Sequence, residues 1–173
     1  SNWEIFGMYA CQNIVSTFMY QPPKLPALDR LLQRTRSRGG MKLAPADRKG
    51  VSLLLKALQR GEMVGVLPDQ VPNDEGGVFA NFFGKQALTM TLVSKLVARS
   101  QARVFCGFVV RLPKSGGFKL TIREADKSIY DEDLITSVSG LNKSVENCVL
   151  TAVEQYQWEY KRFRRQSDGE KFY

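Results

Sequence analysis

Apolar positions along the chain recur with two alternating spacings, one close to 3.6 residues and one close to 2. Trp3 to about Gln12 has the helical spacing, and Ile14–Tyr20 is a run of β-branched and aromatic residues that predicts a strand. Pro22, Pro23 and Pro26 turn the chain. Ala27–Arg38 is predicted helical, stopped by Gly39–Gly40, and Met41–Ala44 is predicted as a short strand. In the next helix Val51, Leu54, Leu55 and Leu58 fall at i, i+3, i+4 and i+7, the clearest amphipathic stripe present. Gly61 ends it, and Glu62–Leu67 is a predicted strand cut off by Pro68.

Residues 69–86 carry Pro, Asn, Asp and several glycines, and predict a long loop of the kind that often carries function. Ala87–Arg99 is predicted helical. Arg103–Leu112 is a nearly unbroken apolar run, the signature of a central strand covered on both faces. A turn at Lys114–Gly117 leads into Phe118–Glu124, whose alternation predicts a half-exposed strand. From Asp131 to about Tyr160 a long helix is predicted, with Leu134, Val138, Leu141 and Val145 on one face. Ser167–Tyr173 is predicted to be a loose tail. Strands interleaved with helices predict an α/β fold with a mixed, mostly parallel sheet flanked by helices, in one domain.

Composition narrows this picture. With 173 residues, 43% of them hydrophobic, the chain has enough apolar material for a core and is not a disordered polyelectrolyte. Lys and Arg number 25 against 17 Asp and Glu, a formal charge of +8 that favours acidic partners. There is no histidine, so a zinc-histidine site, a Ser-His-Asp triad and a histidine base are excluded within these residues. Cys11, Cys106 and Cys148 lack metal-type spacing, and their odd count predicts buried thiols in a reducing compartment. Ile5–Pro23 is free of charge, yet Gln12, Asn13, Ser16, Thr17 and Gln21 interrupt it, which predicts a buried helix and strand instead of a membrane span.

Several residues stand out as candidates for chemistry. Glu4 is the only acid among the first 28 residues and sits at a helix start, where the helix dipole by itself favours a carboxylate. Arg36 continues the Leu28, Leu32 stripe, whereas Arg30, Arg34 and Arg38 form a separate, solvated one. An inward guanidinium requires an anion or carbonyls, whether from substrate or from a helix end. Asp69 and Gln70, after Leu67-Pro68, lie just past the carboxyl end of a predicted strand, where open α/β sheets collect ligands; a plain turn reads equally well. Two basic clusters remain. One, between Asp29 and Lys49, holds seven Lys/Arg and two Asp, Arg48 among them. The other is Lys161, Arg162, Arg164 and Arg165, interleaved with Tyr160 and Phe163. Such interleaving suits nucleic acid, but cations also gather at the end of a long helix and no nucleic-acid motif accompanies them.

Taken in order, several segments carry a resemblance: Asn2-Trp3-Glu4, Tyr20-Gln21-Pro22-Pro23-Lys24-Leu25-Pro26, Arg36 with Arg38, Asp47-Arg48-Lys49-Gly50 and Gly61-Glu62-Met63-Val64. They continue with Leu67-Pro68-Asp69-Gln70, Val78-Phe79, Phe82-Phe83-Gly84, Ala87-Leu88-Thr89-Met90-Thr91, and Glu154-Gln155-Tyr156-Gln157-Trp158 running to Arg162-Phe163. The chain thereby resembles the lipid A biosynthesis acyltransferases, the late lauroyl/myristoyl acyltransferase family of Gram-negative bacteria. The resemblance implies a glycerolipid-acyltransferase-like fold. The family motif is His-x-x-x-x-Asp/Glu, often His-x-Gly-Asn-Trp-Glu; Asn2-Trp3-Glu4 matches its end, which sets the histidine two positions before Ser1. Ser1 stands where the family usually has Gly, and Gln21 where it commonly has Arg. The family's membrane-anchoring segment has no counterpart in these residues, so the resemblance implies the carboxyl-terminal part of an enzyme, inactive without its histidine.

By resemblance the reaction is transfer of a fatty acyl chain from an acyl carrier protein thioester to a hydroxyl of a lipid A precursor, without metal or organic cofactor. Glu4 and Arg36 become catalytic candidates, the first orienting the imidazole and the second facing the thioester oxygen or a phosphate. Asp69, Gln70, Arg38, Arg48 and Arg162 become candidates for substrate binding. The implied partners are the carrier protein, the lipid A precursor and a membrane surface, with no nucleic acid, at the cytoplasmic face of a bacterial inner membrane. Two alternatives stay open: a glycerophospholipid acyltransferase, which shares the His-x-x-x-x-Asp/Glu logic, and a non-catalytic basic binding domain.

Overall fold

The uncharged opening stretch divides where its polar residues fall. Helix α1 (Trp3–Asn13) ends as Asn13 Nδ2 donates to the Tyr9 carbonyl at 2.8 Å, and strand β1 (Ser16–Tyr20) follows. Among the described residues no helix is long and apolar enough to cross a membrane. The computed structural model describes residues 2–169 and 173, with the side chain of Arg38 also outside the described set. It falls into two units, Asn2–Leu67 and Pro68–Tyr173.

In the first unit, helix α2 (Pro26–Arg38) opens on a proline, whose missing N–H is harmless in a first turn. Strand β2 (Lys42–Pro45) leads to helix α3 (Arg48–Gln59), capped by the Asp47 carboxylate, which accepts the Gly50 N–H at 2.8 Å. Strand β3 (Met63–Gly65) completes a sheet of order β2-β1-β3, both pairings parallel. Ala10 of α1, Phe18 of β1 and Met41 form a core with Phe6, Leu43 and Met63 around them. Helix α3 packs against all three strands, and Leu54, Ala57 and Ala44 are fully withdrawn from solvent. The expected parallel α/β arrangement is therefore present in this unit.

The second unit departs from expectation. Residues 69–86 are not one long loop. After a 3-10 turn at Asp74–Gly76, strand β4 (Gly77–Phe82) pairs antiparallel with β5 (Lys85–Met90). Phe83 and Gly84 make the two-residue connection with φ of 49° and 76°, the positive values that match the twist of a tight hairpin. Glycines that read as loop signals thus serve the turn and the strand start. Ala87–Met90, expected as the start of a helix, is claimed by this pairing, and helix α4 begins only at Leu92 (Leu92–Ser100).

Strands β6 (Phe105–Arg111) and β7 (Phe118–Glu124) form a second antiparallel hairpin. The apolar run of β6 is not covered on both faces: Phe105 is exposed and only Val109 is buried. Among the described residues, one parallel sheet and two antiparallel hairpins accordingly stand in place of the single mostly parallel sheet. Helix α5 (Leu134–Val149), capped by Asp133 on the Thr136 N–H, is shorter than its pattern. The chain beyond it is drawn into two 3-10 turns, Val153–Gln155 and Trp158–Tyr160, whose side chains bond to distant strands and loops. Ile129, Leu141 and Ala125 form one core cluster of this unit, with Met90, Val93, Val104 and Cys106 around them, and Phe82, Leu88 and Val138 are buried as well. Residues 170–172 of the expected tail lie outside the described residues.

Candidate active site

The first unit brings Glu4 and Arg36 together. Glu4 occupies the first turn of α1 and Arg36 the last turns of α2, and Arg36 Nη2 donates to Glu4 Oε1 at 2.9 Å. The Arg36 guanidinium also lies over the Trp3 ring, 4.8 Å from its centroid. Its side chain is only 17% exposed while that of Glu4 is 60% exposed, so a sheltered cation presents an accessible carboxylate. Arg36 Nε is buried and lacks a hydrogen-bond partner. An ionic contact fixed by an aromatic face leaves the guanidinium plane oriented, with donor capacity for an incoming oxygen.

Sequence reasoning placed Arg36 inward through the Leu28, Leu32 stripe. Leu28 is in fact 42% exposed, and the sheltered face runs through Asp29, Leu32 and Arg36. Asp29 stands there because it has polar work: its Oδ2 accepts from Gln33 Nε2 at 2.8 Å, and the same amide donates to Tyr20 Oη at 2.8 Å. Burial, then the Asp29 charge, push the Tyr20 phenol above its ordinary range. This row escaped the sequence reading; the signal was an acid seven residues before Arg36, two helical turns along one face. Arg48 lies exposed at the first turn of α3, and Arg30 and Arg34 are exposed on α2, as a solvated stripe should be. The Arg38 side chain lies outside the described ones.

The second unit gathers another polar group. Asp69 is partly buried and Gln70 exposed. Burial raises the Asp69 carboxyl above its ordinary value, against the pull of the Arg162 charge and of a hydrogen bond from the Tyr156 hydroxyl. Tyr156 is itself raised, by burial and then by the Asp69 charge. Arg162 is 4% exposed and so is not part of a basic surface. Its Nη1 donates to the Leu88 carbonyl at 2.6 Å and its Nη2 to Thr89 Oγ1 at 2.8 Å. Asn142 steadies that hydroxyl, donating to it at 3.0 Å and to the Asn81 carbonyl at 2.9 Å. Tyr156, Thr89 and Asn142 were not singled out from sequence, because nothing local marks a buried polar partner.

The cysteines are half-buried and unpaired by disulfides, less withdrawn than expected. The hydrogen bond between Cys106 and Cys148, followed by burial, holds the Cys106 thiol protonated. Among the described residues no three of Cys, Asp or Glu gather to hold a metal ion.

Comparison with known proteins places this geometry in context. A family described as "Bacterial lipid A biosynthesis acyltransferase" matches residues 1–165. A lipid A biosynthesis acyltransferase of Haemophilus influenzae is 32% identical over 94% of this chain and 50% of its own length. The lipid A biosynthesis lauroyltransferase of Escherichia coli is 30% identical over 87% of this chain and 49% of its own. The lipid A biosynthesis palmitoleoyltransferase of Escherichia coli is 28% identical over 94% and 52%. The chain thus spans about half the length of the curated relatives it matches.

Proposed function

From the premise that this chain belongs to the bacterial lipid A biosynthesis acyltransferase family, we propose that Glu4 and Arg36 serve transfer of a fatty acyl group from an acyl carrier protein thioester to a hydroxyl of a lipid A precursor. The observation that carries this reading is the 2.9 Å contact between Arg36 and Glu4 over the Trp3 ring. It joins a carboxylate at the end of the acyltransferase motif to a sheltered cation 32 positions away in sequence.

The chemistry asks for three things. A hydroxyl is a poor nucleophile at neutral pH and needs a base to take its proton. The 173 residues hold no histidine, so the base is the imidazole that the motif sets two positions before Ser1. Glu4, accessible on the first turn of α1, orients that imidazole and stabilises it once protonated. Attack on the thioester carbon puts negative charge on its oxygen, and Arg36, already held by Glu4 and Trp3, supplies a fixed donor for it. Collapse releases the carrier thiolate, which regains a proton from the imidazolium, and leaves an ester. Asp69 and Gln70 bind the acceptor, and Arg38 and Arg48 the anionic parts of the substrates. The basic excess suits an acidic carrier protein and an anionic membrane surface, and supports a reading in which the enzyme works at the cytoplasmic face of the inner membrane. The Leu67-Pro68-Asp69-Gln70 and Glu154-Gln155-Tyr156-x-Trp158 segments support a lipid A acceptor over a glycerophospholipid.

The test uses the chain extended upstream through the histidine, with acyl carrier protein and a lipid A precursor as substrates. Arg36→Ala lowers kcat by about 10²–10³-fold, the loss typical of one transition-state donor. Arg36→Lys, which keeps charge but not the planar fork, is also impaired. Near wild-type kcat in Arg36→Ala refutes the catalytic assignment.

A further inference from the structure

Strand β1 carries two side chains that hold different helices. Phe18 packs against Ala10 of α1. The glycine at position 7 lets that helix come close, since a Cβ there would stand 3.6 Å from Phe18 Cζ. Tyr20, two residues on and so on the same face of the strand, accepts a hydrogen bond at its Oη from Gln33 Nε2 of α2 at 2.8 Å. These contacts close a ring with the candidate site. From β1 the path runs through Phe18 to α1, and from Glu4 in the first turn of α1 across 2.9 Å to Arg36 of α2. Gln33, one turn before Arg36, then leads back through Tyr20 to β1. Both helices are set against one strand.

The Gln33 amide is aimed from its own helix. Its Nε2 also donates to Asp29 Oδ2 at 2.8 Å, one turn earlier on α2, which holds the group in place while its other hydrogen reaches Tyr20. Arg36 follows Gln33 by three residues, on the adjoining position of the helix surface. Its guanidinium is held at the tip, by Glu4 and by the Trp3 ring, whereas its buried Nε has no hydrogen-bond partner. The placement of the guanidinium therefore follows the placement of α2. A slide of that helix along β1 carries Arg36 off both the carboxylate and the ring.

We propose that Gln33 and Tyr20 are positioning residues for Arg36: their hydrogen bond ties α2 to the carboxyl end of β1 and so sets the guanidinium against Glu4 and Trp3. The proposal deepens the reading of Arg36 as the donor to the thioester oxygen and rests on it. Neither residue touches the reacting atoms; each acts through Arg36. A bond between neutral groups adds little to stability. Its value lies in aim, because a donor serves developing charge only when it is oriented beforehand.

The experiment compares Tyr20→Phe, Gln33→Leu, the two combined, and Thr35→Ala. The last removes a hydrogen bond to the Leu31 carbonyl within α2 and leaves the strand alone, so it reports a merely structural loss. In the 173-residue chain the Arg36 Nε–H proton is followed by NMR, since the Trp3 ring, 4.8 Å from the guanidinium, displaces it from the position of a solvated arginine. Tyr20→Phe and Gln33→Leu each move this signal towards the solvated position, the double variant moves it no further, and Thr35→Ala leaves it in place. In the extended enzyme each single variant lowers kcat by roughly tenfold, short of the roughly 10²-fold loss from a misplacement of about 1 Å. KM is nearly unchanged, and the double variant loses no more than either single one. An Arg36 signal that stays put in Tyr20→Phe, or moves equally in Thr35→Ala, overturns the proposal. So do losses in kcat that add in the double variant, the mark of a residue touching substrate itself, and full turnover in both single variants where Arg36→Ala is impaired. A signal that moves while Arg36→Ala keeps full turnover upholds the tie and removes Arg36 from the chemistry.

Discussion

Gly50 offers a sharp test of how the first unit is packed. It sits in the first turn of α3, where the helix crosses β2, and a Cβ there would lie 1.7 Å from the Pro45 carbonyl oxygen and 2.8 Å from its carbon. These neighbours are backbone, so no side chain can swing aside. Gly50→Ala must push α3 away from β2 by more than an ångström, loosening Leu54 and Ala57, which are fully buried beneath that helix. Overpacking of this kind costs about 1–3 kcal/mol, and more where backbone has to move. Alanine returns about 1 kcal/mol of helix propensity, so a net loss of about 2 kcal/mol is expected. Urea unfolding reads it best in a Trp158→Phe background, which leaves Trp3 as the single indole, in the first unit. For a slope of about 2 kcal/mol per molar the midpoint falls by about 1 M. Gly61→Ala serves as a comparison: φ is +75° with nothing within 4 Å of the added carbon, so only backbone strain, about 1 kcal/mol, is at stake. If Gly50→Ala matched wild type, or did less harm than Gly61→Ala, the close approach of α3 to β2 would be wrong. Arg48 opens the same helix, so the variant also displaces a proposed substrate contact.

Two further outcomes are open to measurement. Reversing Arg30 and Arg34, both exposed on α2, to Glu raises the KM for acyl carrier protein at low ionic strength, and the difference shrinks at physiological salt, where exposed charges more than about 8 Å apart are screened; unchanged kinetics at low salt refute the role of this face. Asp126 is held at about 2, below its ordinary 3.8, by Lys143 and then by Ser128. A carboxyl lowered on folding stabilises the native state above its unfolded value, and that contribution disappears as pH falls from about 4 through about 2. Lys143 is 63% exposed, so screening limits the effect to about 1 kcal/mol; Asp126→Asn flattens the acid limb of stability, and an unaltered limb refutes the assignment.

What the sequence determined by itself was set by short-range physics. The 3.6-residue stripe at Val51–Leu58, the β-branched run at Ser16–Tyr20, the proline opening of α2 and the alternation in Phe118–Glu124 each express a local preference, and each element formed where that preference lay. The motif ending in Glu4 and the inward setting of Arg36 were legible too, since a lone acid at a helix start and a cation on a sheltered face are visible one helix at a time. Tertiary structure decided whatever depends on a partner distant in sequence. Ala87–Met90 became a strand because Gly77–Phe82 lay beside it, and the apolar run of β6 stayed half-open because α5 packs against it while Phe105 is left to solvent. The helical pattern beyond Val149 yielded to bonds with Arg111, Val71 and Leu88 that local spacing does not encode. The same holds for charge: Arg162 looks like its basic neighbours in sequence, and only the strands and rings closed around it turn a surface cation into a buried one.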